Sequence, residues 1–305
     1  MNKKILVVGG VGVDTIVKVK QFPIEYRDAL GVPPIYDYVS HPGNGISKGL
    51  MSLGEDIKFI DFIGEDIQGE MILNHYQQIG LDFSHLIQDT GTRRGINLVD
   101  KKGSRMSFYD GRYSESLRMP KDFYLPFYKQ ASLIHFSIMN WARYMIDEAR
   151  EMRITVSTDI HDWDGNNEYH KDFAMKSDIV FFSAAGTNDE FKDLMYRIIN
   201  EGNAKIVLAT RGKAGSYLLE KESDTIIHLP IYNIEGTVVD TNGAGDSYIS
   251  AFLHGYLNGK SLEECMKYGT ISGANNCIHE GAHEHFIDQT ILSKHLKIFE
   301  AQLIK

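Results

Sequence analysis

The chain has 305 residues, of which 43% are hydrophobic and 24% charged, so it can bury a sizeable core and is not a wholly disordered protein. It carries 32 Lys and Arg against 41 Asp and Glu, and this net charge of −9 argues against general binding to nucleic acid or to a membrane surface. The two cysteines exclude a disulfide scaffold and an all-cysteine zinc site, and they predict a cytoplasmic protein.

The first apolar run, residues 5–13, is too short to span a bilayer and contains three glycines, so we predict a strand at 5–8 followed by a glycine turn. A strand at 58–63 then lies between helical patterns at about 46–53 and 68–78. Further along the chain we predict short strands at 133–136, 154–158, 179–182 and 205–209, and helices at 247–257 and 262–277. Repeated strand–helix units of this kind predict a parallel sheet covered by helices on both faces.

Two regions interrupt this alternation. Residues around 14–41 and 93–113 have strand patterns without crossover helices, and the second region contains a K-K-G-S turn. We therefore predict one α/β domain, residues 1–305, in which these two insertions form a small antiparallel sheet. A sheet that packs only one face on the domain can cover a binding site as a lid.

The stretch 238–247 reads V-V-D-T-N-G-A-G-D-S, in which a short strand pattern enters a glycine-containing loop and a helical pattern leaves it. Small residues at a helix start expose backbone N–H groups and the positive end of the helix dipole, an arrangement that favours phosphate. A carboxylate at the same point can accept the proton of an attacking hydroxyl, so Asp246 is a candidate general base. The alternative is that Asp246 or Ser247 only caps the helix.

The segment 240–246, D-T-N-G-A-G-D, resembles the D-T-x-G-A-G-D signature of the ribokinase-like (PfkB) carbohydrate kinase family. Segments 9–14, 42–54, 62–69 and 210–215 resemble other stretches of that family in the same order. The resemblance covers nearly the whole chain. It implies a ribokinase-like three-layer α/β/α core with a mostly parallel sheet and a small β-sheet lid.

The resemblance also implies an activity: ATP-dependent phosphorylation of a hydroxyl on a sugar or sugar derivative, with Mg²⁺–ATP as the phosphoryl donor. Asp246 would be the base, and the anion hole would be formed by the amides of Gly243, Ala244 and Gly245. The sugar would be bound by Asp14, Gly43 and Asn44. The nucleotide would be bordered by Thr210, Arg211, Gly212 and Gly215. Family members often need a monovalent cation, so a K⁺ site at Asp240 is a further expectation.

One element of the family pattern is missing. An N-x-x-E element, which helps to organise metal and phosphate, should follow the strand at 179–182, but residues 183–186 read S-A-A-G. Mg²⁺ would then be held through ATP and water, as this ion usually is. Ketohexokinase-like and fructosamine-kinase-like members resemble the chain in this departure and around Arg112, which favours ketose-type or derivatised sugars. Arg112 is a candidate contact to a phosphate or substrate carboxylate from the lid.

Weaker signals leave alternatives open. Residues 10–15 begin like a dinucleotide-binding G-x-G-x-x-G, but a threonine replaces the third glycine. The histidines at 279, 283 and 285 predict a solvated loop or, alternatively, a metal site. Segment 161–164, H-D-W-D, follows a predicted strand and is either a ligand contact or a polar turn.

Two alternative functions also remain at this point. A nucleoside kinase would need an apolar pocket for its base, for which Phe108, Tyr109 and Tyr113 are candidate walls. A non-catalytic sugar- or nucleotide-binding relative is the second alternative, because the N-x-x-E element is missing. An edge of the lid offers a surface for a homodimer in either case.

Overall fold

The computed structural model describes residues 4–101, 103–185, 189–281 and 283–303, which form a large sheet, a small sheet and the helices that pack on them. The elements of the first part of the chain are β1 (Lys4–Val8), β2 (Gly12–Lys18), β3 (Tyr36–Ser40), α1 (Pro42–Ser52), β4 (Ile57–Ile63), α2 (Ile67–Ile79), β5 (Phe83–Ile87), β6 (Arg94–Val99) and β7 (Arg105–Asp110). The elements of the middle part are α3 (Lys121–Tyr128), β8 (Ala131–Phe136), α4 (Ile146–Glu151), β9 (Thr155–Asp159), α5 (Glu168–Lys176), β10 (Ile179–Ser183) and α6 (Phe191–Glu201). The last part supplies β11 (Ile206–Thr210), β12 (Ser216–Glu220), β13 (Ile227–Leu229), α7 (Ala244–Leu257), α8 (Leu262–Cys277) and α9 (Gln289–Leu303).

The large sheet has the strand order β13-β12-β11-β10-β9-β8-β1-β4-β5. The strands from β11 to β5 run parallel, whereas β12 and β13 add to the edge in antiparallel pairs. Side chains alternate across this sheet, so Ile5 and Val7 lie in one apolar core while Leu6 and Val8 lie in the other. Both cores are covered by helices, which gives the three-layer α/β/α architecture.

The small sheet has the order β3-β2-β6-β7, with β2 and β6 parallel and the outer pairs antiparallel. Asp14 on β2 lies opposite Tyr38 on β3 and Gly95 on β6. Asp14 thus lies on an inner strand of the small sheet, and in the chain this strand follows β1 of the large sheet. We call the small sheet the lid.

The carboxyl ends of β1, β9 and β11 meet at one edge of the large sheet, which is where α/β folds bind ligands. Helix α7 begins close to this edge, after Gly243, whose φ of 74° places it in the left-handed region. The predictions of a mostly parallel sheet with helices on both faces and of a second, small sheet are confirmed, and α8 has the predicted bounds. The small sheet is mixed rather than antiparallel, because β2 and β6, which come from the two insertions, pair in parallel.

Some features of the fold differ from the expectation or fall outside it. The antiparallel edge formed by β12 and β13 was not predicted, because these strands are short and partly exposed. Gly186, at the end of the S-A-A-G segment, lies outside the described residues. Within the described ranges, no helix has both the length and the apolar character needed to cross a membrane.

Candidate active site

A cavity of about 1350 Å³ lies between the lid and the carboxyl edge of the large sheet. One drug-sized ligand usually occupies roughly 300–1,000 Å³, so this space is large enough for two ligands side by side. Most of the residues predicted for the site line it: Asp14, Thr210, Gly212, Gly215, Gly243, Ala244, Gly245 and Asp246. The structure therefore brings together residues that are more than 230 positions apart in the chain.

The loop before α7 is held in shape by its own polar groups. Asp240 Oδ1 accepts hydrogen bonds from the backbone N–H of Asn242, at 2.9 Å, and from its side-chain amide, at 2.8 Å. Gly243 then turns the chain into the helix, so the first N–H groups of α7 have no intrahelical acceptor and point toward the cavity end of the helix. N–H groups at a helix start, together with the helix dipole, favour an anion; here the Ala244 N–H also contacts the Thr241 carbonyl oxygen at 3.4 Å.

Asp246 lies in the first turn of α7, and its carboxylate Oδ2 is 2.7 Å from Nε2 of His283. Both side chains are largely buried, with 14% exposure for Asp246 and 5% for His283. A glycine on α1 makes this contact possible, because a Cβ on Gly45 would lie 2.5 Å from His283 Nε2 and 2.9 Å from the Asp246 Cβ. The candidate base is thus packed tightly against an imidazole.

Asp14 is the acidic group at the lid side of the cavity, and it is paired with His41 at 3.1 Å between Oδ1 and Nε2. Burial alone would raise the pKa of Asp14, but its interactions with His41 and Ser40 together outweigh burial and the pKa is lowered. The facing residue on β6 is Gly95, where a Cβ would lie only 2.3 Å from Asp14 Oδ1. The ring of Tyr109 lies 5.8 Å from that of His41 and completes this end of the cavity.

A basic side chain, His161, lies at the carboxyl end of β9. Nδ1 of His161 is 3.4 Å from Asp159 Oδ2, and the His161 backbone N–H donates to Asp159 Oδ1 at 3.0 Å. Burial alone would lower the pKa of His161, but the Asp159 carboxylate outweighs it, with a smaller contribution from Asp246, and the pKa is raised to about 9. His161 therefore carries a positive charge at neutral pH, and it lines the same cavity as the loop before α7.

The other end of the cavity suits a nucleotide. Thr210 closes β11, and the turn that follows brings Gly212, Lys213 and Gly215 to the cavity. Apolar side chains line the wall beyond them, and they include Ile234, Val238, Cys277 and Ile278. A polar, basic edge next to an apolar wall matches the phosphates and the flat base of a nucleotide.

Five predicted residues do not line the cavity: Gly43, Asn44, Arg112, Arg211 and Asp240. Gly43 packs its Cα against the backbone of Gly9, and Asn44 is fully buried. Arg211 makes an ion pair with Asp189 at 3.3 Å.

Arg112, which we predicted to reach a ligand from the lid, does not line the cavity. Arg112 follows β7 with a φ of 52°, and its Nε donates to the Asp110 carboxylate at 2.6 Å. Arg105, at the start of β7, lines the cavity instead and donates from Nη1 to Asn242 Oδ1 at 2.6 Å.

The prediction of a solvated loop for the histidines near the C-terminus holds for His285, which is exposed, but not for His283. His283 does not lie in a solvated loop, and no group of three or more His, Cys, Asp or Glu side chains in the described ranges is arranged to hold a metal ion. The partnership of His283 with Asp246 was missed because it joins residues 37 positions apart and leaves no local pattern. His41 and Arg105 were missed for the same reason.

Comparisons with known proteins show the family to which the chain belongs. The profile of the pfkB family of carbohydrate kinases matches residues 4–156 and 168–288. An acarbose 7(IV)-phosphotransferase from Actinoplanes sp. is 35% identical over 289 residues, which cover 94% of this chain and 96% of that protein. A 5-dehydro-2-deoxygluconokinase from Geobacillus thermodenitrificans is 25% identical over 268 residues, or 78% of this chain and 77% of that protein.

Two solved structures illustrate the likeness in fold. The microbiome-derived acarbose kinase Mak1 has a TM-score of 0.91 and 38% identity, with 97% of this chain and 100% of that chain covered. Arabidopsis thaliana ribokinase, complexed with ribose and ATP, has a TM-score of 0.81 at 20% identity, with 97% and 99% covered, and shows the fold alone. A special likeness to ketohexokinase-like or fructosamine-kinase-like members stays a prediction. The chain belongs to the pfkB family, and it is an ATP-dependent carbohydrate kinase with a ribokinase-like fold.

Proposed function

We propose that this kinase transfers the γ-phosphoryl group of ATP to a hydroxyl of acarbose or of a chemically similar sugar derivative, with Asp246 as the general base. The observation that carries the proposal is the arrangement around α7. Asp246, Gly243, Ala244 and Gly245 line one cavity, which is also lined by Asp14 and by residues that follow β11, Gly212 and Gly215.

The reaction follows from these positions. The sugar hydroxyl gives its proton to the Asp246 carboxylate, and its oxygen forms a bond to the γ-phosphorus. The bond between the γ-phosphorus and the bridging oxygen breaks, and ADP leaves with that oxygen. The N–H groups at the start of α7 and the imidazolium of His161 stabilise the negative charge on the phosphoryl oxygens during the transfer.

Asp14 orients the sugar. Its lowered pKa keeps the carboxylate ionised at neutral pH, so it can accept hydrogen bonds from sugar hydroxyls. His41 and Ser40 both hydrogen-bond to the Asp14 carboxylate, whose two oxygens offer about four acceptor positions, so acceptor positions remain for the substrate. Gly43 and Asn44 contribute from behind this layer, because they shape the start of α1 without reaching the cavity.

The substrate class rests on the relatives. Two proteins that match nearly the whole chain, at 35% and 38% identity, are named for acarbose, and a more distant relative is named for 5-dehydro-2-deoxygluconate. All three names describe derivatised sugars, as the sequence resemblance favoured. A solved nucleoside kinase from Methanocaldococcus jannaschii is 19% identical, with a TM-score of 0.78 and with 98% of this chain and 100% of that chain covered, and it supports only the likeness in fold.

Mg²⁺ fits the site only as an ion that enters with ATP. No three His, Cys, Asp or Glu side chains of the described residues are arranged to coordinate a metal ion. Mg²⁺ usually keeps several water ligands and binds phosphate oxygens of the substrate. Asp162 is an exposed carboxylate on the cavity wall and would hold the ion through water.

A monovalent cation at Asp240 would have to use Oδ2, because Oδ1 already accepts two hydrogen bonds from Asn242. Comparing rates in K⁺, Na⁺ and a bulky organic cation tests this second ion.

A homodimer through the lid is a further part of the proposal. Ile96, Met106 and Phe108 are 42%, 48% and 52% exposed. Successive side chains of a strand point to opposite faces of its sheet. Asn97 and Ser107 therefore lie on one face of the lid, and these three apolar residues lie on the other face. Light scattering on the wild type and on Phe108→Glu tests the homodimer, and a monomeric wild type would contradict it.

The use of ATP supports a cytoplasmic location, which cell fractionation would test.

The substrate is tested by measuring ADP release with a panel of acceptors: acarbose, 5-dehydro-2-deoxygluconate, ribose, fructose, tagatose, a fructosamine and adenosine. We expect the highest kcat/KM with acarbose and none above background with adenosine. A higher kcat/KM with a simple pentose or a nucleoside would overturn the substrate proposal. Binding of acarbose without any ADP release would instead favour a non-catalytic relative.

A further inference from the structure

A chain of buried hydrogen bonds leads from α2 to the candidate base. The Tyr76 hydroxyl donates to Asn44 Oδ1 at 3.0 Å, the Asn44 amide nitrogen lies 3.2 Å from His283 Nδ1, and His283 Nε2 lies 2.7 Å from Asp246 Oδ2. Exposure is 2% for Tyr76, zero for Asn44 and 5% for His283, so water does not compete for these bonds.

The direction of the chain is fixed at Asn44. Its Nδ2 group donates one hydrogen to the backbone carbonyl of Val39 at 3.0 Å, and a carbonyl can only accept. A flipped amide would place Oδ1 against this carbonyl oxygen and would turn Nδ2 toward Tyr76. Burial raises the pKa of Tyr76 well above its usual value, so its hydroxyl keeps its proton and donates to Oδ1. Asn44 therefore points its second N–H at His283.

The tautomer of His283 follows from this direction. A nitrogen that accepts a hydrogen bond from an amide carries no proton, so Nδ1 of His283 is the acceptor. In a neutral imidazole the proton then lies on Nε2, which is the atom that faces Asp246. His283 is thus a donor to the carboxylate, and it cannot accept a proton from the substrate through that nitrogen.

We propose that His283 is a positioning residue of this kinase: Asn44 holds its imidazole as the Nε2–H tautomer, and that N–H holds Asp246 with its other carboxylate oxygen facing the sugar hydroxyl. This inference rests on the proposed role of Asp246 as the general base. It gives a task to Asn44, which the sequence resemblance assigned to the sugar but which the structure buries behind the cavity.

Gly45 supplies an independent observation. The residue after Asn44 has no room for a side chain, because a Cβ there would lie 2.5 Å from His283 Nε2. This position on α1 allows the imidazole and the carboxylate to approach to 2.7 Å. Asn44 and Gly45 therefore act on the same contact from neighbouring positions, one by a hydrogen bond and one by the absence of a side chain.

The tautomer is tested directly by a long-range ¹H–¹⁵N correlation spectrum of the histidine rings in the intact protein, with the His283 signals assigned by their loss in His283→Gln. We expect a protonated Nε2 and an unprotonated Nδ1 in the wild type, and a loss of this pattern in Asn44→Leu. A proton on Nδ1 in the wild type, or on both nitrogens, would overturn the proposal whether or not the enzyme variants are active.

The positioning role is tested by kinetics. A misplaced catalytic group costs on the order of 10²-fold, so we expect kcat to fall about 10- to 100-fold in His283→Leu, with KM for ATP and sugar almost unchanged. His283→Gln can place an amide N–H near the position of Nε2 and should recover most of the loss. His285→Gln is the matched control, because that histidine is exposed and does not contact Asp246.

The outcomes separate this inference from the proposed function. An active Asp246→Asn variant would remove the base itself and, with it, any role for His283 in catalysis. An inactive Asp246→Asn together with a wild-type kcat in His283→Leu would leave the base in place and overturn only the positioning role. Equal losses in His283→Gln and His283→Leu would also contradict it, since the donated hydrogen bond would then not matter.

Discussion

Gly95 on the lid offers a sharp test of the sugar end of the site. Replacement by alanine would put a Cβ 2.3 Å from Asp14 Oδ1, a distance that forces the carboxylate to move. A hydrogen bond to a charged group contributes about 1.5–3 kcal/mol, so losing the Asp14 contact to the sugar should lower kcat/KM for the sugar about 10- to 150-fold. KM for ATP should stay unchanged, because the nucleotide end of the cavity is formed by other elements.

The assay is the initial rate of ADP release, with sugar varied at saturating ATP and ATP varied at saturating sugar. Gly31→Ala is the matched control, because a Cβ at that position meets no atom within 4 Å. Thermal unfolding of both variants separates a local effect from a loss of the fold. If Gly95→Ala remains folded and keeps the wild-type kcat/KM for the sugar, Asp14 is not the sugar-binding acid.

Three further predictions concern charged groups around the site. The charge of His161 is present at neutral pH and is lost as the pH rises through its pKa of about 9, so kcat/KM for ATP should fall above that pH in the wild type. His161→Gln should have a lowered kcat/KM already at neutral pH and should lack this fall. Arg93 and Asp61 form a fully buried ion pair, so Arg93→Leu should lower the free energy of unfolding, measured in urea, by about 3–5 kcal/mol. The double variant Arg93→Leu/Asp61→Leu should recover most of this loss. A double variant that is as unstable as Arg93→Leu would contradict the pairing. Arg105→Ala removes an exposed bond to Asn242, worth about 1 kcal/mol or less, and should change kcat/KM by less than about fivefold.

The sequence predicted the fold well because its signals are local. The buried strands β4 and β10 are short apolar runs, and α8 begins at a capping box formed by Ser261 and Glu264, so its bounds could be read from the chain. The short antiparallel strands β12 and β13 carry a weaker pattern and were missed. Strand pairing at a sheet edge depends on neighbours that a single sequence does not reveal.

The site was predicted in part, for a related reason. The glycine loop and Asp246 form one continuous motif, so their proximity is guaranteed by the chain itself. The partners of the acidic side chains come from distant segments: His283 contacts Asp246 and His41 contacts Asp14 only in the folded structure. Asn44 was assigned to the sugar because its position in the chain resembles the sugar-binding segment of the family. Its side chain instead points into the protein, where it bonds with the Val39 carbonyl and contacts His283. Resemblance in sequence position therefore did not predict what this side chain contacts.

The central claim is that Asp246 removes the proton of the sugar hydroxyl while the start of α7 binds the phosphoryl group. The most direct measurement is the single-turnover rate of phosphoryl transfer in Asp246→Asn, with ATP and sugar already bound. The account predicts a rate about 10²–10⁴-fold below that of the wild type, the usual scale for a lost general base, with both ligands still bound. A rate close to that of the wild type would contradict it.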